Sequence, residues 1–176
     1  MFNPAHTAQH ILMKAVHEND LTTVRLHLSD VRTTWDPNEI LCYACQKGRL
    51  EIVQELLTVA DPNCDLGRPL QQAVGGGHLD VVKCLLPHCD ATLMNSEALQ
   101  LCVLNGEEEM FEALHPYSDC GAALNEVNTS LSLFDHDSHC LSLRDRLTEI
   151  VARQKQQATL AKAVAEHEAT TRTKKM

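Results

Sequence analysis

Apolar residues in this chain come in short paired stretches. Each pair is divided by one residue that tolerates a left-handed backbone: Asn19, Gly48, Gly77, Gly106 and Asp135, 29 positions apart. The second copy reads Ile40-Leu41-Cys42-Tyr43-Ala44-Cys45 before its glycine and Leu50-Glu51-Ile52-Val53-Gln54-Glu55-Leu56-Leu57 after it. The third reads Pro69-Leu70-Gln71-Gln72-Ala73-Val74, then Gly77-His78-Leu79-Asp80-Val81-Val82-Lys83-Cys84-Leu85-Leu86. After the turn, Leu50, Val53, Leu56 and Leu57, and again Leu79, Val82, Leu85 and Leu86, fall on one helical stripe. A helix that must stop and reverse needs a left-handed residue just past its last turn. The pattern therefore predicts five copies of a helix–turn–helix unit.

The first helix of each copy carries a small residue at its closest position: Ala15, Ala44, Ala73 and Cys102. Small side chains let neighbouring units approach closely, and neither helix of a unit can bury its stripe alone. Stability must come from stacking unit on unit, so the fold class is an all-α solenoid. The first copy is recognisable in Leu12, Ala15, Val16, Leu21 and Val24, and the fourth is weaker, with Leu99, Val103, Met110, Phe111 and Leu114. The units run over about 9–37, 38–66, 67–95 and 96–124, with a degenerate copy at 125–145, in an array covering 1–140.

The third copy, with the loop residues Asp61, Asn63, Gly67 and Pro69 before it, closely resembles the ankyrin repeat; the resemblance is good over roughly 5–115 and poor over 116–145. It implies a curved stack that binds protein partners chiefly on its concave face. The chain departs from the family in two ways. The His of the family's Thr-Pro-Leu-His opening is replaced by Met13, Cys42, Gln71 or Gln100. The period is also four residues short of the usual 33 or so, and the loss falls in segments such as Thr58–Pro69. In the family that segment makes a projecting finger, so stubby or absent fingers are expected here.

Residues 141–169 contain neither Gly nor Pro and are rich in strong helix formers. Leu143, Leu147, Ile150 and Val151, then Ala158, Ala161 and Ala165, mark a face that fades from large residues to alanine. The first half is expected to cap the array and the second to extend into solvent or pack on a second copy. The alternative function is accordingly a regulator that forms a homodimer through this helix. Residues 170–176 read as a disordered basic tail.

The net charge of −9 conceals a division: residues 1–140 carry −13 and residues 141–176 carry +4. An acidic array repels phosphate backbones, which argues against nucleic acid and favours a partner with a basic surface. No apolar run reaches the 18 or so residues needed to cross a bilayer, and no charged-then-apolar leader opens the chain. A cytoplasmic protein is expected, or one translocated into a host cell by a route that needs no such leader.

The chemistry-bearing residues point away from catalysis. Cys42-x-x-Cys45 lies within a helix of the repeat rather than after a strand, so the eight cysteines read as reduced thiols that serve as small apolar groups. No nucleophile elbow, phosphate loop or His-Glu-x-x-His occurs, and no cofactor is implied. Cys120, His136, His139 and Cys140 are suited to zinc by residue type, and a zinc-binding sensor is a further alternative. No second pair at ligand spacing accompanies them, however, and Cys140 falls on a core position.

The variable positions of the first helices supply the candidate partner site. Tyr43, Gln46, Gln72, Leu101 and Leu104 lie on the face that the resemblance makes concave, with Trp35 flanking it. A Tyr beside two Leu residues is the kind of apolar centre that marks an interface. The other role open to Leu101 and Leu104 is packing beneath Tyr117–Asn128. The sequence thus describes a non-enzymatic interaction module: an inhibitor, an adaptor or a bacterial or viral effector.

Overall fold

The computed structural model describes residues 4–29, 35–131 and 138–173. Among them are ten α-helices and no strand. They pair as α1 (Pro4–Glu18) with α2 (Leu21–Ser29), α3 (Pro37–Gln46) with α4 (Leu50–Leu56), and α5 (Cys64–Gly75) with α6 (Leu79–Leu85). The series continues with α7 (Leu93–Asn105) and α8 (Glu108–Leu114), a 3-10 turn at His115–Tyr117, and then α9 (Cys120–Leu131) with α10 (Ser138–Thr173). The odd-numbered helices α1 to α9 pack in one row and the even-numbered helices α2 to α8 in another, which makes a two-layer all-α solenoid.

Each reversal is built the same way. Asn19, Gly48, Gly77 and Gly106 have φ of 59°, 66°, 70° and 71°. The N–H of each bonds the carbonyl three residues back, and the next N–H reaches five residues back, as in Asp20 to Ala15 at 2.8 Å and His78 to Ala73 at 3.0 Å. This double closure satisfies carbonyls that the helix end would otherwise leave open. The fifth turn residue, Asp135, lies outside the described residues.

The core repeats with the turns. Leu12, Leu41, Leu70 and Leu99 form one buried layer on the first helices, and Val24, Val53, Val82 and Phe111 form another on the second helices. Both layers step by 29 residues. The second-helix series runs on into α10, where Cys140 and Leu143 follow Phe111 and Leu114 at the same step and are buried in turn. Leu147 and Val151 extend that seal, and every described side chain from 152 to 167 is exposed.

The connections leading into α5 and α7 are short and pass through left-handed turns. Asp65, Leu66 and Gly67 have φ of 47°, 60° and 84° ahead of Pro69, and 29 residues on, Met94 and Ser96 repeat the geometry at 50° and 62°. The first helices are tied across the connections between units by a ladder of side chains. The N–H groups of Asp36, Asp61, Asp90 and Asp119 donate to Gln9, Asn38, Asn63 and Ser96 of the preceding unit at 3.0, 2.9, 2.7 and 2.7 Å. Each aspartate in turn accepts from the N–H two residues on, at Asn38, Asn63, Thr92 and Gly121. Asn38 and Asn63 therefore serve both junctions, with the main chain held by one unit and the side chain holding the next.

Three glycines separate the two demands of the turn. Gly75 has open space where a Cβ would stand and no left-handed φ, so Gly75→Ala should stabilise by up to about 1 kcal/mol. Gly77 also has space but a φ of +70°, and Gly77→Ala should cost about 1–2 kcal/mol. At Gly48 a Cβ would meet the His78 ring at 2.4 Å in addition to the φ of +66°, so Gly48→Ala should cost about 3 kcal/mol or more. Urea midpoints of the three variants should rank in that order.

Two exposed carboxylates give the fold an acid limit. The hydroxyl of Thr23, then its N–H, holds Asp20 below the usual 3.8, and Thr92 does the same for Asp90. A carboxylate held low in the fold contributes stability above its unfolded value and loses it as pH falls through the folded one. The urea midpoint should therefore fall over the interval below about pH 4, the ordinary carboxylate value. Asp20→Asn/Asp90→Asn should fall less steeply over that interval, and equal slopes would show that these bonds carry no acid sensitivity.

Candidate partner-binding face

The residues at 14, 43, 72 and 101 share one register position, so the stack sets Lys14, Tyr43, Gln72 and Leu101 on successive first helices. Tyr43 is half-buried on α3. Its hydroxyl lies 3.5 Å from His17 Nδ1 of the unit before, and the Lys47 ammonium sits 5.4 Å from its ring centroid. That arrangement fixes the ring from both sides and leaves one face toward α5.

Tyr43, Gln46 and Gln72 border a single cavity of about 120 Å³, floored by Cys42 and rimmed by Glu39 and Arg68. Three of the six expected site residues thus come together between α3 and α5. The other three lie apart from the cavity. Trp35 is half-buried against the core just ahead of α3, and Leu101 is likewise packed on the core. Leu104 is half-buried, and its carbonyl accepts the Cys140 thiol at 2.9 Å. At this end of the array α9 packs along α7 as α5 packs along α3.

Polar groups that hold the face in place are less evident from the sequence. The residue after each turn glycine reaches back to the preceding first helix. Arg49 donates to the carbonyls of Val16 and His17 at 3.1 and 2.7 Å, and His78 Nε2 lies 3.0 Å from that of Gln46. These contacts fix the C-terminal ends of α1 and α3, on either side of Tyr43. A cation after a turn glycine was the available signal, but Glu107 breaks the series at the third junction.

All eight cysteines are free thiols. Burial pushes Cys89 up to about 11 and Cys64 to about 12, and raises Cys45 and Cys102 further. These thiols are held protonated at neutral pH and fill the core as small apolar groups. Of the zinc candidates, Cys120 donates to the carbonyl of His115 at 3.3 Å, Cys140 donates to Leu104, and His139 is exposed. His136 lies outside the described residues, and among the described residues no group of three or more His, Cys, Asp or Glu side chains could hold a metal ion. No described helix is long and apolar enough to cross a membrane.

No curated protein matches the chain in a sequence search. The family model for ankyrin repeats (3 copies) matches residues 12–95 and 41–128, about two thirds of the chain and all of the paired helices around the cavity. With the two-layer stack, the left-handed reversals and the Asp–Asn ladder in view, the chain belongs to the ankyrin-repeat family.

Proposed function

We propose that this array is a rigid protein-binding module whose partner seats over α3 and α5, centred on Tyr43, Gln46 and Gln72. Ankyrin repeats are generally protein–protein interaction modules, which supplies the class. The observation that carries the location is the shared cavity, which joins residues from three units, Met13 of the first among them, into one recess with an aromatic wall and polar rim. Tyr43 is a suitable anchor because its ring is already ordered by Lys47 and His17, so little side-chain freedom is lost on binding. The charge of −13 over residues 1–140 favours a partner with a basic surface. The action is steric: the module occludes or positions its partner without chemistry, as an inhibitor, adaptor or effector working in a cytoplasm.

The test is a crosslinked pull-down from lysate of the source organism, read by mass spectrometry. Wild type runs beside Tyr43→Ala/Gln46→Ala/Gln72→Ala, after equal helicity and melting are verified. Leu101 is left unchanged because a charge there would strike the core. A partner bound by wild type should bind the variant at least about tenfold more weakly, and more weakly to both as salt rises. A partner retained equally by both would remove this face from the interface.

A second reading has its own observation. Leu160 and Val164 stand one helical turn apart on the distal part of α10, 60% and 58% exposed. A helix presenting this pair would serve self-association. Sedimentation velocity should then show a dimer for the full chain and a folded monomer for a chain ending at Val151. A monomer in both would end that reading.

A further inference from the structure

Cys42 and Cys64 are 22 residues apart in sequence, yet their sulfurs are 4.0 Å apart, in contact and both buried. Cys42 is fixed in the middle of α3. Cys64 stands at the head of the left-handed turn Asp65–Gly67, where the main chain is not continuous helix. A disulfide needs about 2.05 Å between sulfurs, so closure requires an approach of about 2 Å. The irregular segment around Cys64 can supply that approach while α3 stays still.

The pair also has access. Cys42 lines the cavity of about 120 Å³ bordered by Tyr43, and Arg68 stands on the same rim. The recess exceeds the roughly 30 Å³ that one water occupies, so it admits hydrogen peroxide. We propose that Cys42 and Cys64 are an oxidative modification site, closed by peroxide into a disulfide that pins the connection between the second and third units to α3.

The steps balance. The Cys42 thiolate attacks one peroxide oxygen, the O–O bond breaks, and the departing hydroxide takes up the thiol proton to leave as water. Cys42 is then a sulfenic acid. The Cys64 sulfur attacks the Cys42 sulfur, the S–O bond breaks, and a second water leaves with the Cys64 proton. Two thiols are oxidised by two electrons in total, and one peroxide is reduced to two waters. Cys42 is the sulfur attacked by peroxide because it faces the cavity; desolvation raises it overall, while the contact with Cys64 and then the Arg68 guanidinium favour its thiolate. Desolvation lifts Cys64 to about 12, so the reaction is slow and calls for sustained peroxide.

The experiment needs only the intact wild-type chain. Folded protein is held in hydrogen peroxide, quenched, alkylated in denaturant and digested without reduction. Free thiols should fall from eight to six, and dithiothreitol should restore them. Trypsin should yield one crosslink joining the peptide of Cys42 and Cys45 to the peptide of Cys64, and fragmentation between Tyr43 and Ala44 should place it on Cys42. Cys64→Ala, checked for helicity, should instead accumulate a dimedone-reactive sulfenic acid at Cys42. Eight thiols surviving, a crosslink at Cys45 or through another pair, or Cys42 overoxidised without a crosslink would each overturn the proposal.

Discussion

The whole structure depends on one constraint: each unit must reverse its chain immediately after the first helix. A helix pair of this length has an apolar stripe on each member and neighbours on both sides, so its stability lies in the stack rather than in itself. The left-handed residue at 19, 48, 77 or 106 sets where α1, α3, α5 and α7 end, and hence which side chains meet across a unit. Because all four reversals bond in the same pattern, the layers through Leu41 and Val53 recur without drift into the next unit. A slip at one turn would misplace the stripes of every contact on both sides of it.

The short connection passes that register from unit to unit. With four residues fewer than the family's usual length, the chain cannot project a finger and makes a left-handed turn instead. Such turns place Leu66 and Met94 in a backbone region that costs a non-glycine residue about 1–2 kcal/mol. The aspartate ladder offsets that cost: each connection binds one aspartate N–H to the unit before and one aspartate carboxylate to the residues after. Exposed hydrogen bonds of this kind are individually modest. Their value is positional, since they fix how α3 lies against α5 and therefore the width of the recess beside Tyr43.

The repeat, the reversals and the helical class were legible because they depend on period and on residues that tolerate positive φ, both local signals. The ladder was present as Asp61, Asp90 and Asp119, 29 apart, but short polar residues in a loop read first as turn formers. Their second function, accepting and donating across units, exists only once the units are stacked. The left-handed Leu66 and Met94 run against propensity, so a sequence pattern argues for other residues there. At the candidate site, register alone aligned Tyr43 with Gln72, whereas the same register placed Leu101 with them without revealing that the recess between α3 and α5 leaves Leu101 outside its lining. The approach of Cys42 to Cys64 could not be read from spacing, because it depends on the path of a turn whose geometry the residues do not advertise.

The two ends of the array are held by different physics. At the first two junctions Arg49 and His78 close the carbonyl ends of α1 and α3, so α3, one wall of the recess, is tied at its C-terminal end. At the third junction Glu107 occupies the same register, and a carboxylate cannot donate to a carbonyl. At the junction after it, α10 closes the stack from outside. Arg146 bonds Glu108 at 2.7 Å, bonds Glu112 as well, and lies over the Phe111 ring at 5.3 Å, while Cys140 reaches the carbonyl of Leu104. The C-terminal units therefore use their outer surface to secure the capping helix. The N-terminal junctions are instead satisfied from within the repeat, by the basic side chains of Arg49 and His78.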